Sequence, residues 1–328
     1  MISRRALLSN AGFACAAASF GIAARRPALA QAYPSRAIHF VVPFPAQGAV
    51  DPVIRLYAQK LSEDWNEPAV VDNRPGATGS IGTKAVVESP PDGYTLLFTV
   101  DLPITMAPNL LKVPYDPQHD LIPIAAVVES NNVLVVNGST GIRSLAELVA
   151  AAKAKPGVFT FSSAGVGSPA HFCGEMIKRQ ADVDMTHVPY KGAGPAMNAV
   201  LAGDVTMFCG PIQQALPFIK DEKVYPLGVA GSKPSQLLPG VAPLSTSYPG
   251  LVMTQWFGLF APAHTPAAVC DKLAAEFKKF YADPELQHRL FSLGLEPTWI
   301  PGPDLSRRIA TELEKWNGLM ASAGIHRI

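Results

Sequence analysis

Two stretches of this sequence join glycine-bearing backbone to the start of a helix, a combination that binds anions without any basic side chain. The first is Pro43-Phe44-Pro45-Ala46-Gln47-Gly48-Ala49-Val50-Asp51-Pro52 and the second is Phe161-Ser162-Ser163-Ala164-Gly165-Val166-Gly167-Ser168-Pro169. Each leaves an apolar run and enters a helical one. Asp51 and Ser168 are placed as N-caps, each followed by a proline at the first helical position, where its missing N–H costs nothing. Glycine lets the backbone turn tightly and lets a ligand approach the peptide N–H groups. Those donors, with the positive end of the helix dipole, suit a carboxylate. Asp51 opposes an anion if its charge faces the ligand, so it is assigned to capping. Cap and proline recur at Thr265-Pro266 and Asp283-Pro284 with no glycine loop before them, so that pair alone marks only a helix start.

Other patterns carry weaker chemistry. Gly165-Val166-Gly167-Ser168-Pro169-Ala170 satisfies a GxGxxA dinucleotide fingerprint, but it falls mid-chain and no constellation for hydride transfer accompanies it. An exported dinucleotide-binding oxidoreductase is therefore the rival reading. Gly76 to Lys84 has the wrong order for a phosphate loop and reads as a turn and helix start, and there is no GxSxG elbow. His171, Cys173 and His187 lack the close spacing of a structural zinc site. Lys191 is equally an anion contact or a turn salt bridge. No catalytic residue, metal or cofactor is expected.

The elements that must position the two loops alternate short apolar strands with amphipathic helices, the pattern of parallel sheets with crossover helices. Strands are predicted at His39–Pro43, Ala69–Asp72 and Thr95–Thr99, with helices at Val53–Leu61 and Ile81–Val87 between them. A second series runs from Asn132–Val136 through Leu145–Lys153, Val158–Phe161, Pro169–Gln180, Met185–Val188, Ala193–Leu201, Val205–Phe208 and Val224–Val229. An extended run at Thr254–Phe260 precedes helices at Ala267–Tyr281, Glu285–Leu293 and Leu305–Ala323. This is an α/β chain of two doubly wound lobes joined by crossing strands, 31–130 with 256–328 and 131–255, with ligand held where strands end and helices begin.

The first thirty residues read as an export signal. Ser3-Arg4-Arg5-Ala6-Leu7-Leu8 precedes an Ala-rich apolar stretch too short to span a bilayer, and Ala28-Leu29-Ala30 fits a signal peptidase, with cleavage after Ala30. The paired arginines resemble a twin-arginine address; an ordinary secretory signal is the alternative. Removing residues 1–30 takes away four arginines and no acids, so the formal charge goes from +1 to 1 − 4 = −3. A mildly acidic chain lacks the basic surplus that holds nucleic acid or an anionic membrane face, and neither partner nor membrane insertion is expected. Cys173, Cys209 and Cys270 are widely spaced and are read as buried small hydrophobes, with at most one disulfide possible.

Along nearly its whole mature length the chain resembles the Bug-type receptors of tripartite tricarboxylate transporters. The matching stretches are Tyr33-Pro34-Ser35-Arg36, Val41 to Asp51, Val71-Asp72-Asn73-Arg74-Pro75-Gly76-Ala77, Pro91-Asp92-Gly93-Tyr94-Thr95-Leu96-Leu97, Val113-Pro114-Tyr115-Asp116-Pro117, Ala152 to Gly157, Ser163-Ala164-Gly165, His187-Val188-Pro189-Tyr190-Lys191-Gly192 and Trp256-Phe257-Gly258-Leu259. The resemblance implies a monomeric periplasmic receptor of type II binding-protein fold that closes over a small organic acid and passes it to integral-membrane transporter subunits, or instead to a sensor. The implied ligand residues are Phe44, Pro45, Ala46, Gln47, Gly48, Ala49 and Asp51 in the first loop and Ser163, Ala164, Gly165, Gly167 and Ser168 in the second. Thr99 and Asp101 form a third wall, and Tyr190 and Cys209 complete the set. Two departures bear on ligand choice. Gln47 stands where the family usually has glycine, and Cys209-Gly210 where it commonly has Asp-Asn.

Overall fold

In the computed structural model, which describes residues 33–322, the alternating runs fold as two βα series followed by a helical tail. The first series is β1 (Ile38–Val42), α1 (Asp51–Trp65), β2 (Ala69–Asn73), α2 (Ser80–Val87) and β3 (Thr95–Val100). A π-turn at Leu102–Met106 and the single-turn α3 (Ala107–Leu110) lead into β4 (Leu121–Asn137). The second series continues with α4 (Leu145–Ala154), β5 (Phe159–Ser163), α5 (Pro169–Ala181), β6 (Met185–Pro189) and α6 (Ala193–Ala202). It ends with β7 (Met207–Pro211), α7 (Ile212–Lys220) and β8 (Val224–Val229). The return strand β9 (Thr254–Pro262) precedes α8 (Ala267–Tyr281), α9 (Pro284–Ser292), β10 (Glu296–Pro301) and α10 (Gly302–Ser322).

The strand order is β2-β1-β3-β9-β4-β7-β5-β6, with β8 and β10 also pairing to β4. It contains two matching trios. β1 lies parallel between β2 and β3, and β5 lies parallel between β6 and β7. Parallel neighbours require crossover helices, which the amphipathic segments supply. Both glycine loops leave the central strand of a trio, the place where a doubly wound sheet opens a crevice for ligand. β4 and β9 join the trios as antiparallel crossing strands. Along β4 the pairing passes from β9, up to Asn131, to β7, from Asn132 onward.

Each series has its own apolar core. Val41, Leu97, Trp256 and Phe260 pack with Leu305 and Ile309 of α10. Phe161, Phe172, Ile177 and Met207 pack with Trp316 and Met320 of the same helix. α10 therefore buries its first half against one core and its second half against the other. Between them runs a polar seam: Arg308 pairs with Glu129 at 2.6 Å and Glu312 at 2.7 Å, and Trp256 Nε1 donates to Glu312 at 2.9 Å.

Three features depart from the sequence expectations. β4 extends eleven residues before the predicted Asn132, because β9 pairs with Leu121–Asn131 along one edge and β10 with Ala125–Glu129 along the other. β10 and α7 were not anticipated. β10 begins and ends beside prolines, which an edge strand tolerates because it pairs only with β4, and α7 contains Pro217. The cysteines are also corrected: Cys173 and Cys209 form a disulfide with Cα atoms 6.3 Å apart, leaving Cys270 free. The helix α5 lies against β7, which brings together two residues 36 positions apart. No helix among the described residues is long and apolar enough to cross a membrane.

Candidate functional site

The second loop is a network built from its own side chains. Gly165 and Gly167 take φ values of +131° and +80°, which an L side chain resists, so glycine is needed at both turns. Ser168 is the N-cap of α5, as expected, with Pro169 following. Its hydroxyl donates to the Gly165 carbonyl at 2.7 Å and accepts from the His171 N–H at 3.4 Å. The buried Ser163 hydroxyl bonds both Gly165 backbone groups at 3.0 and 3.1 Å and lies 2.7 Å from His187 Nε2. Gly167 N–H donates to His171 Nδ1 at 3.1 Å, which requires that nitrogen to be unprotonated.

The two imidazoles stack on each other with ring centroids 4.1 Å apart, and His187 also stacks on Phe161 at 4.9 Å. Burial lowers the pKa of both. His187 falls to about 4, from burial first and from its neighbour His171 second. The pair is thus neutral near pH 7 and forms a flat platform under the loop. A Cys-His nucleophile is excluded, since Cys173 is in the disulfide.

The first loop is fastened differently. The expectation for Asp51 is corrected: Val50 is the N-cap, Asp51 is already the first helical residue and Pro52 follows it. Arg55, one turn later, grips the buried carboxylate with Nε at 2.9 Å and Nη2 at 3.0 Å, and Gln47 N–H donates to it at 3.2 Å. The fork holds Asp51 below the usual carboxylate range and neutralises the charge that would repel an anion. Gln47 sits at φ +64°, a left-handed conformation that glycine adopts more easily than a residue with a side chain, and its side chain is exposed. Asn73 Nδ2 ties the loop to β2 through the Phe44 carbonyl at 3.1 Å.

A cavity of about 190 Å³ lies where the second loop meets the crossing strands and α10. Of the sixteen residues expected from the sequence, it brings together Asp101, Ala164, Ser168 and Cys209. Thr99 is fully buried outside its wall, with a hydroxyl that has no protein partner. Ser163, Gly165 and Gly167 support the wall from behind. Tyr190 packs into the core beside β4 and donates its N–H to Ser163 at 2.9 Å. Phe44, Pro45, Ala46, Gln47, Gly48, Ala49 and Asp51 do not line the cavity. One link between them is indirect: the Phe44 ring and Pro103 both abut Gly79, and Pro103 adjoins the cavity residue Leu102.

Sequence reasoning missed most of the apolar wall: Leu102, Met106, Phe208, Met253 and Trp316. Leu102 and Phe208 adjoin anticipated positions and were within reach of the argument. Met253 and Trp316 come from distant chain segments with no local signal. Asp101 is the wall's single ionisable side chain, and burial, reinforced by Glu312, pushes its carboxyl well above the ordinary value. Among the described residues, the N–H groups of Ala164 and Ala170 have no protein acceptor, and both residues line the cavity at the N-terminus of α5. An anion placed there completes the hydrogen bonding of the helix end.

A family model described as the tripartite tricarboxylate transporter family receptor matches residues 53–325. Protein BugT of Bordetella pertussis (strain Tohama I) is 33% identical over 311 residues, covering 94% of this chain and 94% of its own. The solved structure of R. palustris Rpa4515 with adipate superposes with a TM-score of 0.73 at 28% identity, covering 90% of this chain and all of that one. MatC (Rpa3494) from Rhodopseudomonas palustris with bound malate gives 0.67 at 28% identity, covering 88% and 99%.

Proposed function

We propose that this chain, which belongs to the tripartite tricarboxylate transporter receptor family, is a periplasmic receptor that captures a small carboxylate in the cavity at the N-terminus of α5. The observation that carries the reading is the pair of unbonded N–H groups on Ala164 and Ala170, set at the positive end of a thirteen-residue helix. The adipate and malate in the two solved relatives agree in chemical class. The alternative of a dinucleotide-dependent oxidoreductase has no such support.

The protein is a receptor and not an enzyme, and it hands its ligand to integral-membrane transporter subunits. It works as a monomer. Its lobes are 31–130 with 256–328 and 131–255, a division supported by the change of partner along β4 between Asn131 and Asn132. Binding draws the first loop, Phe44 to Asp51, toward the second across the crossing strands. Export uses the signal at residues 1–30, cleaved after Ala30, which lies outside the described residues.

Native mass spectrometry of protein exported from its own signal and purified without refolding tests these points together. The expected spectrum shows a chain starting at Gln31 carrying a small organic acid. Ala164→Phe, which places a ring over the unbonded donors, is expected to release that acid. If a broad panel of carboxylates fails to bind the wild-type protein, the receptor reading is wrong.

A further inference from the structure

We infer that Asp101 meets the bound acid in its protonated form, its O–H donating to a ligand carboxylate, so that this receptor takes up its ligand together with one proton. The inference rests on the receptor reading and deepens it. Two observations carry it. The first is placement. Asp101 is 5% exposed and stands on the cavity wall just past the end of β3, so it borders the same space as Ala164 and Ala170 of the other series. At about 190 Å³ the cavity averages roughly 7 Å across, too small to hold a carboxylate far from the Asp101 carboxyl, and two negative charges that close oppose each other's ionisation. Among the described residues no ion pair ties the Asp101 carboxyl to a cation. The other polar side chains on the wall, Asn132, Ser168, Thr254 and Gln255, carry no charge.

The second observation is the charge balance around it. Behind the wall, α10 and β4 supply Arg308, Lys315, Glu129 and Glu312, two cations against two carboxylates. Arg308 is shared by both acids, and the Lys315 ammonium bonds the Val252 carbonyl at 2.5 Å. This set is balanced before Asp101 is counted. An ionised Asp101 would leave one uncompensated charge out of water, and an anionic ligand would add a second. Burial first, then Glu312, already push the Asp101 carboxyl up, against Arg308 and the Gln255 amide. β9 brings the Trp256 carbonyl, which accepts from the Asp101 N–H at 3.1 Å, and no titratable group. On the side of the second loop, His171 and His187 are neutral near pH 7 and bonded within that loop. A proton from solvent on Asp101 relieves the conflict, because carboxyl and carboxylate then share a charge-assisted hydrogen bond and no covalent bond of the ligand changes. A dicarboxylate can place one end at the α5 N–H groups and the other at Asp101.

Titration calorimetry of adipate and malate on the full exported protein, stripped of any ligand, tests the inference between pH 7 and pH 9, where both ligands keep a constant charge. Ligand binding that needs the protonated carboxyl weakens by up to tenfold per pH unit, so affinity is expected to fall at least about tenfold over this range. Parallel titrations in phosphate and Tris, which differ in ionisation heat, are expected to show close to one proton taken up at pH 9. Asp101→Asn keeps a donor that cannot ionise, and its affinity is expected to stay level within about threefold from pH 7 to pH 9. A level wild-type profile overturns the inference and leaves the receptor reading standing. A fall retained in Asp101→Asn assigns the proton to another group, Lys315 foremost, and also overturns it. If that variant does not fold, infrared difference spectra of wild type with and without ¹³C-labelled adipate at pH 8.5 decide: a new protein acid-carbonyl band is expected, and its absence refutes the inference. No binding by either ligand or by a wider carboxylate panel at any pH overturns both readings.

Discussion

Acid should loosen the platform under the second loop, and the effect can be isolated at His187. In the folded protein this imidazole lies between His171 and Phe161, with Nε2 against Ser163, and its pKa is lowered from 6.5 to about 4. The folded state therefore stays neutral where the unfolded chain has already taken up a proton. The stabilisation this gives is complete above pH 6.5 and is lost as pH falls from 6.5 toward 4. At about 1.4 kcal/mol per pH unit the full gap corresponds to roughly 3.4 kcal/mol, and screening of a half-buried ring reduces this to about 1–2 kcal/mol. Glu175 and Lys178 on α5 act on the ring with opposite signs and are present in wild type and variant alike. Urea unfolding of wild type and His187→Gln at pH 7 and pH 4.5 provides the assay. Wild type is expected to lose about 1–2 kcal/mol more than the variant between the two pH values, whatever their difference at pH 7. Equal losses would show that His187 is not held neutral by its surroundings and would refute the argument.

Ser168→Ala should cost about 1 kcal/mol of stability through the lost cap, seen as a fall of roughly 2–4 °C in melting temperature. Ligand affinity should change by less than about threefold in calorimetry, because the hydroxyl proton goes to Gly165 and not to a ligand. Replacing Cys173 and Cys209 together by alanine removes a cross-link spanning 36 residues and should lower unfolding free energy by about 2–4 kcal/mol in denaturant titrations. Arg308→Met leaves Glu129 and Glu312 without their shared cation, a loss of about 3–5 kcal/mol at pH 7 in the same titrations.

The sequence by itself determined what depends on near neighbours along the chain. Apolar runs of strand length fixed the two βα series, because burial of alternating segments has a period that can be read locally. Ser168-Pro169 marked the start of α5, since capping is settled within four residues. The two glycine loops were legible for the same reason, and the many ordered matches along the chain carried the family. Asp51 shows the limit of such reading. Its spacing before Pro52 fitted a cap, but α1 already begins at Asp51, whose carboxylate goes to Arg55 one turn on and not to the helix end. Tertiary structure alone decided which loop faces the cavity and what else walls it. Trp316 reaches the site because α10 lies across both cores, Met253 because the chain enters β9 beside β4, and Cys173 meets Cys209 because α5 crosses β7. None of these meetings leaves a local trace, since each is set by packing between segments tens to hundreds of residues apart. Charge follows the same division: composition gave the net balance, whereas only the fold decides that no lysine, arginine or histidine is among the residues lining the cavity.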